Sequence, residues 1–395
     1  MGTIYHNAYV VISAASAATC NDGFLQDRLP PRNSFRVPFG DEGSADILPK
    51  LRMSILMLNK NETLHNRAWA YQESFMARRL LEFTSNEVIW SCMKTGKDGS
   101  GRRGRVEAMT YFGDSCRWAF QLLEVRDWGF IIVAFSSRKM TRDSDKLPAL
   151  SGIAELFDWG RGMQYVAGIW FGGRGAAQLI TWVTAESSDG YGTTRPMDWR
   201  APSWLYISVN DQVSFIDLNQ LRGFEWEGDE FCAQLLTDNN PYGEVTSASM
   251  RLRKCRLIEV RVSAKLKQGP VERSYRLQLP DDSNGFERCF AAGSDSWTVN
   301  FDAITPVTGS GSPSIASCYG PLPLNTTLWW FLMWYSHELV PKRLGSSALY
   351  ISGLALAELS DMRFHRVGYI KCYSKEGRSI VENLKKLPCH EFTFV

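Results

Sequence analysis

The densest group of chemistry-bearing side chains in the chain is Arg67-Ala68-Trp69-Ala70-Tyr71-Gln72-Glu73. On a helix, Trp69 and Glu73 stand one turn apart, as do Ala68 and Gln72, and Arg67 lies within a turn and a half of Glu73. That spacing sets a carboxylate beside an indole wall and a guanidinium. An indole wall lowers the local dielectric and raises a carboxyl pKa toward the range that proton transfer needs. Glu73 is therefore the candidate acid or base, and Arg67 the candidate partner of an anion or a carbonyl oxygen. Trp69, Trp90 and Trp204 are candidate walls of a substrate cleft, with Gln72 a further contact. The cleft is expected where this helix meets the second half of the chain. The competing reading is structural: Arg67 fixes a neighbouring loop, Trp69 fills the core, and Arg67 and Glu73 pair with each other or with backbone.

Other motifs fail on inspection. His337-Glu338-Leu339-Val340-Pro341 has Pro where a zincin helix needs its second His, which removes both the ligand and the helix. Gly173-Arg174-Gly175-Ala176-Ala177-Gln178 starts like a dinucleotide loop and ends in Gln where a small residue must pack. Gly96-Lys97 is followed by Asp98 and so is no phosphate cradle; Gly96–Arg105 reads as a solvated basic loop. There is no GxSxG nucleophile elbow. The nine cysteines are scattered, odd in number and never paired as CxxC, which argues against a disulfide framework and against a zinc site. No cofactor and no metal are expected.

The elements that would carry these residues are of two textures. Ile4–Ala15 reads as a strand inside a sheet, Asp22–Ser44 as loop, Leu64–Met76 as helix, and Leu80–Phe83 with Val88–Cys92 as a hairpin. Asp114–Phe135 and Asp145–Trp159 look helical, with Asp143 or Ser144 as N-cap and Pro148 in the first turn. From Tyr165 short β-like runs dominate: Gln178–Val183, Trp204–Val209, Arg256–Ala264, Tyr275–Leu279, Trp329–Tyr335, Leu349–Leu356 and Phe364–Tyr373. Thr305–Pro323 reads as a long surface loop. The expected class is α+β: an incomplete α/β unit over 1–95, a helical connection over 96–160 and a β-rich domain over 161–395.

Composition narrows the function classes. A net charge of +2 over 395 residues supplies no field for nucleic acid or an anionic membrane. The longest apolar aromatic run, Leu328–Tyr335, is too short to span a bilayer, which takes about 20 residues. No basic segment precedes the first apolar stretch, so a signal peptide is not expected and a cytoplasmic protein is. Hydrophobic residues at 44% with 14 Trp point to substantial cores.

Several segments, taken in order, resemble the fungal heterokaryon-incompatibility domain proteins. That family shows an IYxxA segment, a Gly-containing loop, an RxWxxQE helix and a strand ending in W-x-C, then DKLxALxGIA, YxAGxW and APSW. Here these stand as Ile4-Tyr5-His6-Asn7-Ala8, Asp22-Gly23-Phe24-Leu25, Arg67 to Glu73, and Trp90-Ser91-Cys92. They continue as Asp145 to Ala154, Tyr165 to Trp170 and Ala201-Pro202-Ser203-Trp204, and close on Gly353-Leu354-Ala355-Leu356 and Arg366-Val367-Gly368. The family's opening strand, roughly Y-x-x-L-S-Y-x-W-G, and its W-I-D-x-x-C-I-x-Q segment have no counterpart. The chain is thus expected to start part-way through the domain. After APSW the family's aromatic-Ser-Trp pattern is replaced by Leu205-Tyr206-Ile207-Ser208.

The resemblance implies a filamentous-fungal protein whose founding relatives trigger cell death when unlike strains fuse, acting by partner binding or self-association. The domain has been proposed as a distant relative of Toll/interleukin-receptor domains, some of which cleave NAD. An NAD hydrolase is the least favoured reading here, because much of such a site would come from the opening strands. The alternative is a small-molecule enzyme of fungal secondary metabolism, a cofactor-independent cyclase, isomerase or dehydratase with an aromatic-lined pocket.

Overall fold

Parallel strands cannot be joined by a tight turn; the connection must cross the sheet, usually through a helix. The first half of the chain is built on that constraint. The computed structural model describes residues 2–26, 35–39, 43–47, 62–85, 88–92, 125–157, 163–171, 180–184, 195–196, 198–215, 222–224, 226–265, 274–278, 298–301, 327–336, 349–374 and 378–395. It divides into two compact units, Met1–Arg161 and Gly162–Val395.

In the first unit, helix α1 (Gly2–Asn7) leads into β1 (Val11–Ser13). A hairpin of β2 (Phe35–Phe39) and β3 (Gly43–Ile47) follows, then α2 (Ala68–Met76), β4 (Arg79–Phe83) and β5 (Val88–Cys92). Helices α3 (Val125–Ser136) and α4 (Pro148–Phe157) complete the unit. β1 pairs parallel with β4, and β4 antiparallel with β5, giving a sheet ordered β1–β4–β5. Pro148 opens α4, where a missing N–H costs nothing. Helix α2 presses its buried side chains Ala68, Tyr71, Gln72, Phe75 and Met76 into the unit. Two glycines let the helices close on one another. A Cβ at Gly152 of α4 would collide with the Gln72 amide, and one at Gly2 of α1 with Met76.

Four expectations change here. Ile4–Ala15 is not one strand: Gly2–Asn7 is helical, the Ala8 N–H reaches the Ile4 carbonyl at 3.1 Å, and only three residues pair as β1, with Ile12 exposed. The reason is tertiary, since α1 closes on Met76 through Gly2. Asp22–Ser44 is not all loop, because it contains β2 and the start of β3. The helix expected from Leu64 is interrupted. Thr63–Asn66 is a 3-10 turn, and Arg67 is extended (φ −96°, ψ 129°), since its neighbours bond to Lys139 instead. The fourth change, at Trp204–Val209, belongs to the second unit. Residues 114–124 of the expected helix Asp114–Phe135 and the loops Gly96–Arg105 and Thr305–Pro323 lie outside the described residues, as do the rejected His337 and Gly173 motifs. Among the described residues, no helix is long and apolar enough to cross a membrane.

The second unit is mostly strand, so the chain is α+β as expected. It opens with β6 (Gln164–Val166) and β7 (Ile169–Phe171), joined through Ala167 and Gly168, both at positive φ. That is the backbone a two-residue hairpin turn requires. β8 (Trp182–Thr184) pairs with β9 (Val213–Phe215). The rest is one sheet of ten strands: β10 (Arg222–Gly223), β11 (Glu227–Leu235), β12 (Val245–Cys255), β13 (Leu257–Lys265), β14 (Ser274–Gln278), β15 (Thr298–Phe301), β16 (Thr327–Ser336), β17 (Leu349–Ser360), β18 (Arg363–Ser374) and β19 (His390–Phe394). The pairings β13–β14, β14–β15, β15–β18, β18–β17, β17–β16 and β16–β13 return to their start, so six antiparallel strands form a closed ring. β19, β12 and β11 extend from β18. Closure removes strand edges that would otherwise pair with another chain. One face of the ring gathers Val260, Leu328, Trp330, Leu332, Ile351, Ala355 and Ile370, and α5 (Arg378–Lys385) packs Val381 and Leu384 into the same cluster.

Trp204–Val209, expected as a strand, is instead a loop with a 3-10 turn at Tyr206–Ser208. Its carbonyls are claimed by side chains. Arg200 donates to Ile207 O at 2.7 Å and Val209 O at 2.9 Å, and Arg195 to Ser208 O at 3.5 Å. Arg366 of β18 is fully buried, with Nη1 bonded to Ile180 O at 2.9 Å, Nη2 bonded to Trp182 O, and its guanidinium 3.6 Å from the Trp182 ring centroid. Ser203 Oγ accepts from the Arg366 N–H at 2.8 Å and donates to Val395 O at 2.7 Å.

Two outcomes follow from this packing. A Cβ at Gly353 would collide with the Phe331 carbonyl oxygen across the β16–β17 pair. Gly353→Ala should therefore cost about 1–3 kcal/mol in urea denaturation. His365 is buried, and burial first, then the nearby Arg195 charge, lower its pKa from 6.5 to about 4. The unfolded imidazole takes a proton that the folded one refuses. Stability is thus full above pH 6.5 and falls as pH drops toward 4, by about 3 kcal/mol at about 1.4 kcal/mol per unit. Denaturation midpoints across that window should show the slope, and His365→Gln should flatten it.

Candidate functional site

Each residue singled out on the helix has its own place in the first unit. Arg67 precedes α2 in extended backbone and is exposed; no ion pair joins it to Glu73 among the described residues. Trp69 donates its indole N–H to Asp145 Oδ2 at 3.1 Å. Gln72 is buried against Gly152. Glu73 accepts a hydrogen bond from Tyr5 of α1. Burial first, and then the Glu73 charge and that bond, raise the Tyr5 hydroxyl pKa above its usual 10.0. Trp90 stands opposite Leu81 in the β4–β5 pair, and its side chain lies outside the described residues. Trp204 is fully buried in the second unit, with Phe171 and Phe394 at centroid distances of 5.9 and 6.1 Å, and its carbonyl accepts from the Trp182 indole at 2.9 Å. The five whose side chains are described each serve a local contact or face solvent, and Arg67 and Glu73 are not assembled as a charge pair.

A different cluster gathers polar groups at one end of the parallel strands. In open α/β sheets ligands sit beyond the carboxyl ends of parallel strands. Ser13 closes β1, and Glu82 is its register partner near the end of β4. The Ser16 N–H reaches Phe83 O at 3.2 Å and the Leu64 N–H reaches Ala15 O at 3.2 Å, which lays the Thr63–Asn66 turn over both strand ends. The Lys139 N–H bonds Asn66 O at 2.6 Å and the Ala68 N–H bonds Lys139 O at 3.0 Å, which brings Arg138 beside that turn. Buried Glu62 anchors the same corner by accepting the Ser85 backbone N–H at 2.8 Å.

At the centre, Glu82 Oε1 lies 2.8 Å from His65 Nε2 and accepts from Ser13 Oγ at 3.3 Å. The two side chains are 23% and 13% exposed for His65 and Glu82 respectively, so the pair is shielded without being sealed. Burial pushes the Glu82 carboxyl up, but the His65 hydrogen bond and charge, the Ser13 hydroxyl and the Arg138 charge together outweigh it and hold the carboxyl below its ordinary range. A carboxylate oxygen only accepts, so Nε2 carries the proton, and in the neutral ring Nδ1 is an acceptor. Among the described residues Nδ1 has no hydrogen-bond partner. A carboxylate that orients a histidine with its other nitrogen open is the arrangement general-base chemistry uses.

Arg138 stands over the Tyr71 ring, with Cζ 4.5 Å from the centroid. Burial lowers its pKa to about 10, against the opposing pull of Tyr71 and Glu82. Among the described residues, no three His, Cys, Asp or Glu side chains converge as a metal ion would require. The sequence reading missed this cluster because its members lie far apart along the chain. One signal was legible: in Leu80–Glu82 the acidic residue shares the inward face with buried Leu80, an unusual place for a carboxylate.

Comparison with known proteins finds no matching family model, no matching curated protein and no matching solved structure.

The geometry sets an expectation for Glu82. Its folded pKa lies below the ordinary 4.5, so the stability it contributes is present above that value and disappears as pH falls through the folded value. Glu82→Gln should cost about 1.5–3 kcal/mol at pH 7, the range for hydrogen bonds to a charged group. Chemical denaturation of the two proteins should give matching stabilities once Glu82 is protonated in both its folded and unfolded states. A difference that persists unchanged into strong acid would mean the carboxylate's charge is not what stabilises this corner.

Proposed function

We propose that this chain is a heterokaryon-incompatibility-type protein of a filamentous fungus that acts in cell-death signalling by association, with itself or with a partner. The order of motifs from Ile4 to Gly368 supports the type. The open face of the first sheet supports association, and it is the observation that carries the reading. Paired residues in neighbouring strands share a face. By register, Ile12 of β1 stands beside Leu81, and Phe83 beside Val88. Ile12 is 58% exposed and Val88 46%, while Phe24 packs edge-on against Phe83, centroids 5.0 Å apart, and covers that part of the face. Sheets bury an apolar face against another layer, and an apolar patch left open marks a surface for a partner. β1 pairs with β4 alone among the described residues, so it also presents an edge.

Sedimentation analysis tests this. The protein should self-associate at concentrations of order 0.1 mM or below, and Ile12→Glu combined with Val88→Glu should weaken association about tenfold or more, since each buried apolar side chain is worth about 1.5–3 kcal/mol. A monomer throughout that range, with no partner retained by the wild-type face and lost by the double variant, would end the reading.

The alternative, a cofactor-independent enzyme acting on a small molecule, draws its support from the His65–Glu82 pair and the open nitrogen of His65.

A further inference from the structure

A guanidinium presents five N–H donors, and removing them from water without acceptors is costly. Arg138 is half-buried, and its side chain makes no hydrogen bond and no ion pair among the described residues. Its Nε is cut off from solvent without an acceptor. What holds it is the face of Tyr71, 4.5 Å from Cζ, and the backbone pairing of Lys139 with Asn66 and Ala68. Glu82 is close enough to act on it electrostatically, yet among the described residues its hydrogen bonds go elsewhere, to His65 and Ser13. An arginine held this way is oriented and unspent.

Its surroundings say what would complete it. The planar fork of donors matches the two oxygens of a carboxylate or phosphate. On the other side of Glu82, the histidine offers Nδ1 as an acceptor, which suits a hydroxyl or N–H of the same ligand. The site lies at the carboxyl ends of β1 and β4, where such folds hold ligands. We propose that Arg138, with the His65–Glu82 pair, forms a binding site for a small oxyanion, a carboxylate or phosphate compound that also carries a hydroxyl near the anionic group. The inference goes beyond the association reading and does not depend on it.

Isothermal titration of the full chain with inorganic phosphate, succinate and malate separates the possibilities. Malate differs from succinate by one hydroxyl. Wild type should bind phosphate or one of the dicarboxylates saturably, with Kd on the order of millimolar, about −4 kcal/mol. Arg138→Gln should lose at least about tenfold in affinity for whichever anion binds. Arg138→Lys, which keeps the charge but not the fork, should fall between. His65→Gln should reduce malate binding toward the succinate level. Phosphate binding with neither dicarboxylate assigns the site to phosphate compounds; the reverse assigns it to hydroxy acids. If wild type, folded by circular dichroism, binds none of the three, or if Arg138→Gln binds as wild type does, the proposal is wrong. The wild-type titration decides the first of these even if a variant fails to fold.

Discussion

A guanidinium taken out of water must find acceptors, and the two units of this protein answer that constraint in opposite ways. In the second unit, Arg366 is fully buried and bonds the Ile180 and Trp182 carbonyls while stacking on the Trp182 ring. Trp182 opens β8, so the guanidinium ties β18 to the start of that strand. Arg195 and Arg200 hold three carbonyls of the Trp204–Val209 loop, those of Ser208, Ile207 and Val209. The charge is met by oriented dipoles, and the loop is rigid because its carbonyls are committed. In the first unit, Arg138 has an aromatic face and an electrostatic neighbour but no acceptor among the described residues. The same side chain serves as a rivet in one place and as an unfilled socket in the other, and the difference lies in which backbone groups the fold turns toward it.

Strand edges divide the units similarly. Six strands of the second unit close into a ring and leave each other no free edge. Its long β17–β18 hairpin turns through Asp361 and Met362, both at positive φ, a backbone cost accepted for a tight turn that matches strand twist. The three-stranded sheet of the first unit leaves Ile12 and Val88 exposed on one apolar face, with β1 only three residues long. Short edge strands limit uncontrolled pairing, while an open face still admits a specific partner. Association on one face and a polar corner on the other can coexist, because alternate residues along β4 point to opposite sides: Leu81 toward the open face, Glu82 toward His65.

Much of this was legible in the sequence, because it rests on local pattern. Alternating β-branched and aromatic runs placed β13, β14, β16, β17 and β18, and the helix expected from Asp145 with Pro148 in its first turn is α4, although it begins only at Pro148, after a 3-10 turn at Asp143–Lys146 that takes the expected N-cap residues. The hairpin of β4 and β5 needed only two short runs and a turn. β11 was not legible: Glu227–Leu235 is polar and largely exposed, and it is a strand because β12 supplies the ladder. The helix at Gly2–Asn7, the break at Arg67 and the loop at Trp204–Val209 were hidden for the same reason. Each is set by a contact that no local pattern announces: the first two by the distant Met76 and Lys139, the loop by the side chains of Arg195 and Arg200 just before it. The candidate site divides along that line. The sequence determined that a helix would carry Trp69, Gln72 and Glu73, but spacing alone cannot say which side chains a helix spends on its own packing. Only the tertiary structure brought Ser13, His65, Glu82 and Arg138 together, because a parallel strand pair joins residues that a crossover must keep far apart in sequence.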